Sequence, residues 1–190
     1  MFTFYLLLVI LNVTNGRGYV PEFPIKNNKN NTSKNPKKKQ KPRTNLPVLN
    51  LGGGADWYYF ETNLKLNYFE AFEFCRKNNM NLLSIESKKE EVLIKTHLFN
   101  LVPKVTSVWT SGTDLGREGH YIWLSTGQEF SYTNWHPTAV IEPNNYNNSE
   151  HCIHMYQYYN AVDTFFWNDH DCKLTYNFVC EIELNCKLCI

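Results

Sequence analysis

The sequence contains no run of 18 or more apolar residues, so we expect no membrane-spanning helix. It also lacks a heptad pattern, an internal repeat, a phosphate-binding loop and a nucleophile motif. These absences disfavour a coiled-coil stalk, a repeat protein and the common hydrolases. Disorder of the whole chain is excluded as well, because 15% of the 190 residues are aromatic. One globular domain with an extension remains.

Acidic residues are nearly absent from residues 17–54, which hold nine Lys or Arg and one Glu. Residues 55–190 have 10 basic and 17 acidic residues, a net charge of −7. We interpret residues 19–54, which contain five prolines and end in three glycines, as a basic linker with nothing apolar enough to pack. The alternative is an arm that contacts polyanions such as sulfated glycans through residues 37–43.

The chain begins with an apolar run over residues 2–11, followed by small and polar residues. We predict a signal peptide over residues 1–18, with a buried N-terminal strand as the alternative. Export would place the protein outside the cell, in an oxidising compartment where six cysteines pair, and argues against a nucleic-acid partner. Glycosylation sequons at Asn30, Asn31 and Asn147 agree with that location.

The folded body spans residues 55–183, and its pattern predicts an α+β domain. An aromatic strand at 57–60 precedes a helix capped by Asn67, with Glu70 completing a capping box. A short strand at 81–85 leads to a second helix, which opens with the box Ser87-Lys-Lys-Glu90. That helix turns Ile94, Leu98 and Leu101 inward and ends before Pro103. Further strands are expected at 105–112, 120–124, 151–157 and 177–182.

The body's cysteines stand at positions 75, 152, 172, 180, 186 and 189. A Cys75–Cys180 pair would tie the two ends of the domain together, and a Cys152–Cys172 pair would close the loop region. Spacing alone leaves 15 pairings open. Cys186 and Cys189 lie in a C-terminal tail, residues 184–190, and form either a local disulfide or links to another chain. Interchain links would raise avidity for a weak ligand.

Carboxylates and amides cluster in what we interpret as loops next to two of these cysteines. Three acids and two side-chain amides are all oxygen donors, and hard oxygen donors at this density suit Ca²⁺. The alternative is that they are ordinary polar loop residues. A cis bond before Pro143 would turn its two neighbours to the same side. The five candidate ligands are Glu142, Asn144, Glu150, Asn168 and Asp169.

Residues 56–183 contain an ordered series of spaced motifs, namely Phe69-Glu-Ala-Phe-Glu-Phe-Cys75, Asn81-Leu-Leu-Ser-Ile85, Val108-Trp-Thr-Ser-Gly112, Asn134-Trp135, Glu142-Pro-Asn144, Glu150-His-Cys152, Trp167-Asn-Asp169 and Phe178-Val-Cys-Glu181. This series resembles the C-type lectin-like domain, and most closely the secreted C-type lectins of insects.

The resemblance implies the C-type lectin-like fold, the disulfides Cys75–Cys180 and Cys152–Cys172, and one principal Ca²⁺. It implies that all five candidate ligands hold this ion, with two neighbouring sugar hydroxyls coordinating it directly. Glu142 and Glu150 would accept from the hydroxyls, while Asn144 and Asn168 would donate to them. Asp169 would also contact the metal through its backbone carbonyl.

The order Glu-Pro-Asn at residues 142–144 implies mannose-type ligands, namely mannose, fucose or N-acetylglucosamine, with galactose as an alternative. We therefore expect a secreted, non-enzymatic glycan-recognition lectin acting in innate immunity or reproduction. The other alternative is a protein-binding domain with a structural Ca²⁺ and contacts made by its long aromatic loop. No catalytic residue is expected.

The sequence departs from the family pattern in several places. The segments 135–141 and 156–166 are longer than usual and would reshape the rim of the site. Asp114 and Glu118 match an auxiliary metal site of some relatives, but Asn145 and His151 stand where acids are common. A zinc site at His151 and His154 is disfavoured, because positions i and i+3 of a strand face opposite sides.

Overall fold

The computed structural model describes residues 44–52, 57–101, 104–137, 141–158 and 164–182. All of them belong to one unit, Gln40–Ile190. The predicted signal peptide, most of the basic linker, the sequons at Asn30 and Asn31, and the cysteine tail at 184–190 lie outside the described residues. In the described part, no helix is long and apolar enough to cross a membrane.

Two helices form where the capping residues predict them. Helix α1 covers Tyr68–Lys77, and Asn67 and Glu70 make the reciprocal capping box. Helix α2 covers Lys88–Phe99, and the Ser87 side chain accepts from the Glu90 backbone N–H. The Glu90 carboxylate does not return to Ser87. It accepts instead from the Glu86 N–H and the Tyr58 hydroxyl, because Glu90 is buried.

Within the described residues, eight strands build the sheet. They are β1 (Trp57–Leu66), β2 (Asn81–Leu82), β3 (Ser107–Thr113), β4 (Ile122–Trp123), β5 (Gln128–Glu129), β6 (Cys152–Gln157), β7 (Phe165–His170) and β8 (Tyr176–Ile182). The predicted α+β class is confirmed, but β5 and β7 were not predicted. Strand β7 matters most, because the candidate ligands Asn168 and Asp169 lie on a strand and not in a loop.

The sheet brings both ends of the domain together and projects a hairpin toward the candidate site. Its main path runs β1-β8-β3-β4-β5, with β3 parallel to β8 and the other pairs of this path antiparallel. Strand β6 pairs with β3 and with β7, so the β6–β7 hairpin extends from the sheet. Gly112 on β3 is needed for close packing, since an added Cβ would lie 2.7 Å from Phe130 and 2.9 Å from Ile153.

Two apolar clusters fill the interior. One, around Trp123, Ile153 and Trp167, packs beneath helix α2. The other, around Tyr68, Trp109 and Phe178, packs beneath helix α1 and contains the cysteine pairs. The disulfides are Cys75–Cys180 and Cys152–Cys172, the two pairs that the resemblance implies. They tie α1 to β8, and the start of β6 to the turn after β7.

The end of the presumed linker packs onto the domain. Leu49 exchanges two backbone hydrogen bonds of 2.8 Å with Tyr58. Leu46, Val48 and Leu51 contact the core clusters. The expectation that nothing in residues 19–54 packs is therefore wrong for residues 44–52, because a few apolar side chains suffice once β1 offers a free edge.

Candidate functional site

The loop between β5 and β6 carries Glu142 and Asn144 on either side of Pro143. The Glu142–Pro143 bond is cis, and the Asn144 amide Nδ2 donates to Glu142 Oε2 over 2.6 Å. Glu142 is buried although it is acidic, while Asn144 remains exposed at the surface. The two side chains thus lie together at the mouth of the site.

Asp169 on β7 holds this loop from below. Its carboxylate is fully buried and accepts the backbone N–H of Asn144 over 3.0 Å and of Asn145 over 2.9 Å. Residues 142–148 make few regular backbone hydrogen bonds, so these two contacts fix the loop against the hairpin. Asp169 therefore both shapes the loop and contributes a negative charge at its base.

Glu150 closes the other side of the site. Its Oε2 accepts from the Tyr146 N–H over 3.1 Å, and its Oε1 lies 3.0 Å from His170 Nδ1. The Glu150 N–H donates to Asn145 Oδ1 over 3.1 Å. Glu150 is thereby held to the loop, where its charge contributes to raising the pKa of Glu142.

Asn168 completes the group from β7. Its Nδ2 lies 3.3 Å from His154 Nε2 on β6. Its Oδ1 is buried and has no hydrogen-bond partner in the part of the chain that the structure describes. A buried carbonyl oxygen without a partner costs free energy, so this atom indicates a position where a cation or a donor belongs.

The electrostatics of the group are those of an uncompensated acidic site. Burial, together with the nearby carboxylates of Asp169 and Glu150, raises the pKa of Glu142 to about 7, and the Asn144 hydrogen bond offsets these effects only in part. Burial also raises the pKa of Glu150. Within the described ranges, no salt bridge joins a Lys or Arg to any of the three acids.

These residues fit Ca²⁺. Three carboxylates and two amide oxygens are hard donors, and 6–8 such oxygens in irregular geometry are what this ion takes. A dication would relieve the mutual repulsion of the acids and would satisfy the Asn168 oxygen. Of the five candidate ligands predicted from the sequence, three lie on one loop and two on strand β7. Hydrogen bonds join Glu142, Asn144 and Asp169, and Glu150 is held to the same loop through the Tyr146 N–H.

A second cluster lies on the far side of Asn145. Asp114, Glu118 and His151 each offer one ligand atom, and these atoms lie within 4.8 Å of one another. His151 Nδ1 is 3.0 Å from Asp114 Oδ1 and 3.5 Å from Glu118 Oε2. Asn145 Nδ2 donates to Glu118 Oε2 over 2.5 Å, and the Gly119 N–H donates to Asp114 Oδ2 over 2.8 Å. Both oxygens of Asp114 and Oε2 of Glu118 thus have contacts with neighbouring donor groups.

The rim of the site is apolar and exposed. Ile141 is 73% exposed and Tyr146 is 66% exposed, on either side of the Glu142–Asn144 pair. Of the two expanded segments, residues 138–140 and 159–163 lie outside the described residues. Asn147, the third sequon, is exposed in the short 3₁₀ helix Tyr146–Asn148.

Sequence reasoning overlooked two features. His154 was considered only as a zinc ligand, although it contacts Asn168, because the pairing of β6 with the unpredicted β7 was not foreseen. Glu181 was noted only within a motif, although it is buried beside Ser84 and Glu90. Burial and the nearby Glu90 raise its pKa well above the ordinary value.

Comparison with known proteins agrees with this geometry. Residues 64–182 match the family model "Lectin C-type domain". The chain is 31% identical over 143 residues to a lectin subunit alpha of Sarcophaga peregrina, covering 72% of this chain and 48% of that protein. It is 36% identical over 122 residues to the C-type lectin mosGCTL-7 of Aedes aegypti, covering 60% of this chain and 75% of that protein. The chain thus spans about half of the first relative and three quarters of the second.

Two solved structures share the fold. The carbohydrate-recognition domain of the mouse scavenger receptor C-type lectin has a TM-score of 0.56 at 30% identity, covering 67% of this chain and 89% of that one. The cow C-type carbohydrate-recognition domain of CD23, crystallised in the presence of a GlcNAc2Man3 oligosaccharide, has a TM-score of 0.55 at 27% identity, covering 68% and 89%.

The family model covers more than half of the chain, and the fold, the two disulfides and the relatives agree with it. C-type lectins are non-enzymatic, carbohydrate-binding proteins and are generally calcium-dependent. The chain belongs to the C-type lectin domain family.

Proposed function

We propose that this protein is a secreted, calcium-dependent lectin that binds mannose-type sugars through Glu142, Asn144, Glu150, Asn168 and Asp169. The observation that carries the proposal is the buried Asn168 oxygen without a partner, on the residue before Asp169. It is accompanied by three acids that no Lys or Arg of the described residues neutralises. A calcium site accounts for both the oxygen and the charge.

The side chains of the site would bind a sugar by hydrogen bonds at the rim. When bound, Ca²⁺ supplies coordination positions for two neighbouring hydroxyl groups. The carboxylates of Glu142 and Glu150 would accept hydrogen bonds from those hydroxyls, since an ionised carboxylate is acceptor-only. The amides of Asn144 and Asn168 donate to the hydroxyl oxygens. Asn144 uses one of its two amide hydrogens on Glu142, so the other is available.

The expected preference is for mannose, fucose or N-acetylglucosamine. Glu precedes Pro143 and Asn follows it, so the acceptor and the donor stand in the order that the family resemblance links to these sugars. The related CD23 structure, obtained in the presence of a mannose-containing oligosaccharide, supports this preference. A galactose-binding lectin remains the alternative within the same site.

We expect Asp114 and Glu118 to hold no auxiliary ion. His151 contacts both carboxylates and Asn145 donates to Glu118, so a neutral amide and an imidazole occupy positions where relatives with a second metal commonly have acids. A Glu118→Gln variant should accordingly bind calcium and sugar as the wild-type protein does.

A protein ligand is the second candidate function. The exposed side chains of Ile141 and Tyr146 beside the site favour it, because aromatic and aliphatic anchors of this kind are typical of protein interfaces. In that case calcium would only order the loop. Binding would then not compete with a free monosaccharide.

The relatives and the two ends of the chain support a proposal for the protein's location and partners. Among the relatives are two named salivary C-type lectins, from Aedes albopictus, which supports a secreted protein. Glycans of microbial surfaces or of glycoproteins would be the partners, in innate immunity or reproduction. The basic residues 37–43 would add contacts to polyanions, and Cys186 and Cys189 would link chains into oligomers.

Retention on immobilised mannose tests the proposal. The secreted protein should bind the resin in the presence of Ca²⁺ and elute with a chelator or with free mannose. A parallel galactose resin distinguishes the two sugar preferences. If the protein bound neither resin and no glycan on an array, the lectin function would be contradicted and a protein ligand would be favoured.

Asp169→Ala is the matched test of the site. We expect it to abolish retention, because it removes a charge and the hydrogen bonds that hold the loop, while the disulfide-linked fold remains. Glu129→Gln, at an exposed position on β5, is the control and should be retained like the wild-type protein. Retained sugar binding in the Asp169 variant would show that the site is wrongly assigned.

A further inference from the structure

His154 lies directly opposite Asn168 in the β6–β7 hairpin. Its imidazole is stacked between two tyrosine rings, with centroid distances of 5.2 Å to Tyr156 and 4.9 Å to Tyr176. The planes deviate from parallel by only 14° and 12°. The ring is buried, so its position and orientation are fixed by this stack.

The fixed ring contacts Asn168 through one atom pair. His154 Nε2 is 3.3 Å from Asn168 Nδ2. An amide nitrogen has only hydrogens to offer, so this contact requires Nε2 to be the acceptor and the imidazole hydrogen to be on Nδ1. The described residues provide no hydrogen-bond partner for that Nδ1.

The contact with His154 also fixes the direction of the Asn168 oxygen, Oδ1. With Nδ2 directed at His154, Oδ1 is directed away from it, buried and without a partner. In a site whose other members are Glu142, Glu150 and Asp169, an amide oxygen is the unfavourable end, because the acids would attract the amide hydrogens instead. Something must therefore oppose rotation of the amide, and His154 Nε2 is the group in position to do so.

We propose that His154 is a positioning residue of the calcium site, which orients the Asn168 amide so that its oxygen faces the ion. This inference rests on the proposed function, because it assigns a role towards the same ion. Outer partners that orient a ligand typically account for 10- to 100-fold in metal affinity. His154 touches neither metal nor sugar in this role.

His154→Phe separates orientation from packing. Phenylalanine keeps a flat ring between the two tyrosines but offers no acceptor, so Asn168 is free to rotate. We expect the calcium dissociation constant, measured by titration calorimetry with Ca²⁺ alone, to rise about 10-fold or more. The melting temperature in chelator should stay the same or rise, because a buried nitrogen without a partner is removed. A merely structural role predicts the reverse, a lower melting temperature with unchanged affinity.

A double-mutant cycle tests whether the effect passes through Asn168. In an Asn168→Ala background, His154→Phe should cause no further loss of calcium affinity. Equal losses in the two backgrounds would overturn the inference, as would unchanged affinity in the single variant. Wild-type protein that binds no calcium would refute the proposed function itself, and the positioning role with it.

The wild-type protein gives a test that needs no variant. A long-range ¹H–¹⁵N spectrum of the imidazole, recorded with calcium bound, should show Nε2 without a proton and Nδ1 protonated. A proton on Nε2 would overturn the proposal, because such a nitrogen would bind the Asn168 oxygen and turn it away from the ion.

Discussion

Two buried glutamates of this domain lie in opposite electrostatic surroundings. Glu91, on the inner face of α2, accepts hydrogen bonds from the Tyr132 hydroxyl at 2.5 Å, from Asn134 Nδ2 at 2.8 Å and from Trp167 Nε1 at 3.1 Å. Lys95 lies 3.8 Å from the same carboxylate. Its charge is thus met by three donors and a cation.

Glu142 is buried to a similar degree but has acidic neighbours. It receives one hydrogen bond, from Asn144, and faces the carboxylates of Asp169 and Glu150. The contrast teaches how a structural acid differs from a ligand. A satisfied buried carboxylate stabilises the fold, whereas an unsatisfied one is retained for a group that must come from outside.

Of the substitutions that test this comparison, Glu91→Ala should change the free energy of unfolding most. It leaves the Tyr132 hydroxyl, the Asn134 amide and the Trp167 indole N–H without their acceptor, and we expect the free energy of unfolding to fall by roughly 3–5 kcal/mol. Urea unfolding in chelator measures it. Glu73→Ala, at an exposed salt bridge with Lys77, is the control and should change the value by less than about 1 kcal/mol. A loss below that of the control would mean that Glu91 is not structural.

Glu142→Gln should reduce calcium affinity and leave stability in chelator intact, the reverse of what we expect for Glu91→Ala. The variant removes one ligand charge, so we expect calcium affinity to fall at least about 10-fold, by analogy with the loss of a ligand's support. Its stability in chelator should be unchanged or higher, because a buried acid among acids is neutralised. The calcium-induced rise in melting temperature measures the first effect. If Glu142→Gln were as destabilising in chelator as Glu91→Ala, the distinction between the two acids would fail.

Glu181→Gln extends the comparison to pH. The pKa of Glu181 is raised in the folded protein by burial and by Glu90, so the folded state binds its proton more tightly than the unfolded state does. Above the unfolded pKa, the wild-type unfolding free energy should therefore decline with rising pH. The variant should show a smaller decline, because the raised pKa values of Glu142 and Glu150 still contribute to it. In chelator we expect the variant to melt a few degrees higher at neutral pH and equally at pH 4. A lower melting temperature at neutral pH would contradict this.

Lys95→Met should change the free energy of unfolding least. The Lys95–Glu91 distance of 3.8 Å is long, and the other three donors remain in place. We expect a loss of under about 1 kcal/mol in the free energy of unfolding. A loss approaching that of Glu91→Ala would mean that the cation, and not the hydrogen-bond donors, satisfies the carboxylate.

Much of the fold could be predicted from local sequence. Both helices begin at the predicted capping residues, Asn67 and Ser87, because a cap satisfies N–H groups only three residues away. The strands β5 and β7 were missed because their local sequence carries no comparable signal. Gln128–Glu129 is too short to show alternation, and the aromatic run into Asn168 and Asp169 was interpreted as a loop beside a ligand motif.

The sequence predicted which residues belong to the candidate site, but not which neighbouring side chains hold them in position. The five candidate ligand positions follow from motif resemblance, and the structure joins Glu142, Asn144 and Asp169 by hydrogen bonds. The contact of His154 with the Asn168 amide depends on strand register, which no local pattern specifies when one of the two strands is not recognised.

The sequence by itself determined the helix starts, the supply of cysteines and the set of oxygen donors, since each depends on residue identity or on contacts within a few positions. Only the tertiary structure decided which buried acid is satisfied. Glu91 and the Trp167 indole are separated by 76 residues, and their hydrogen bond exists because α2 packs over the β6–β7 hairpin. Glu142 has no such donor, because the same hairpin presents Asp169 to it instead.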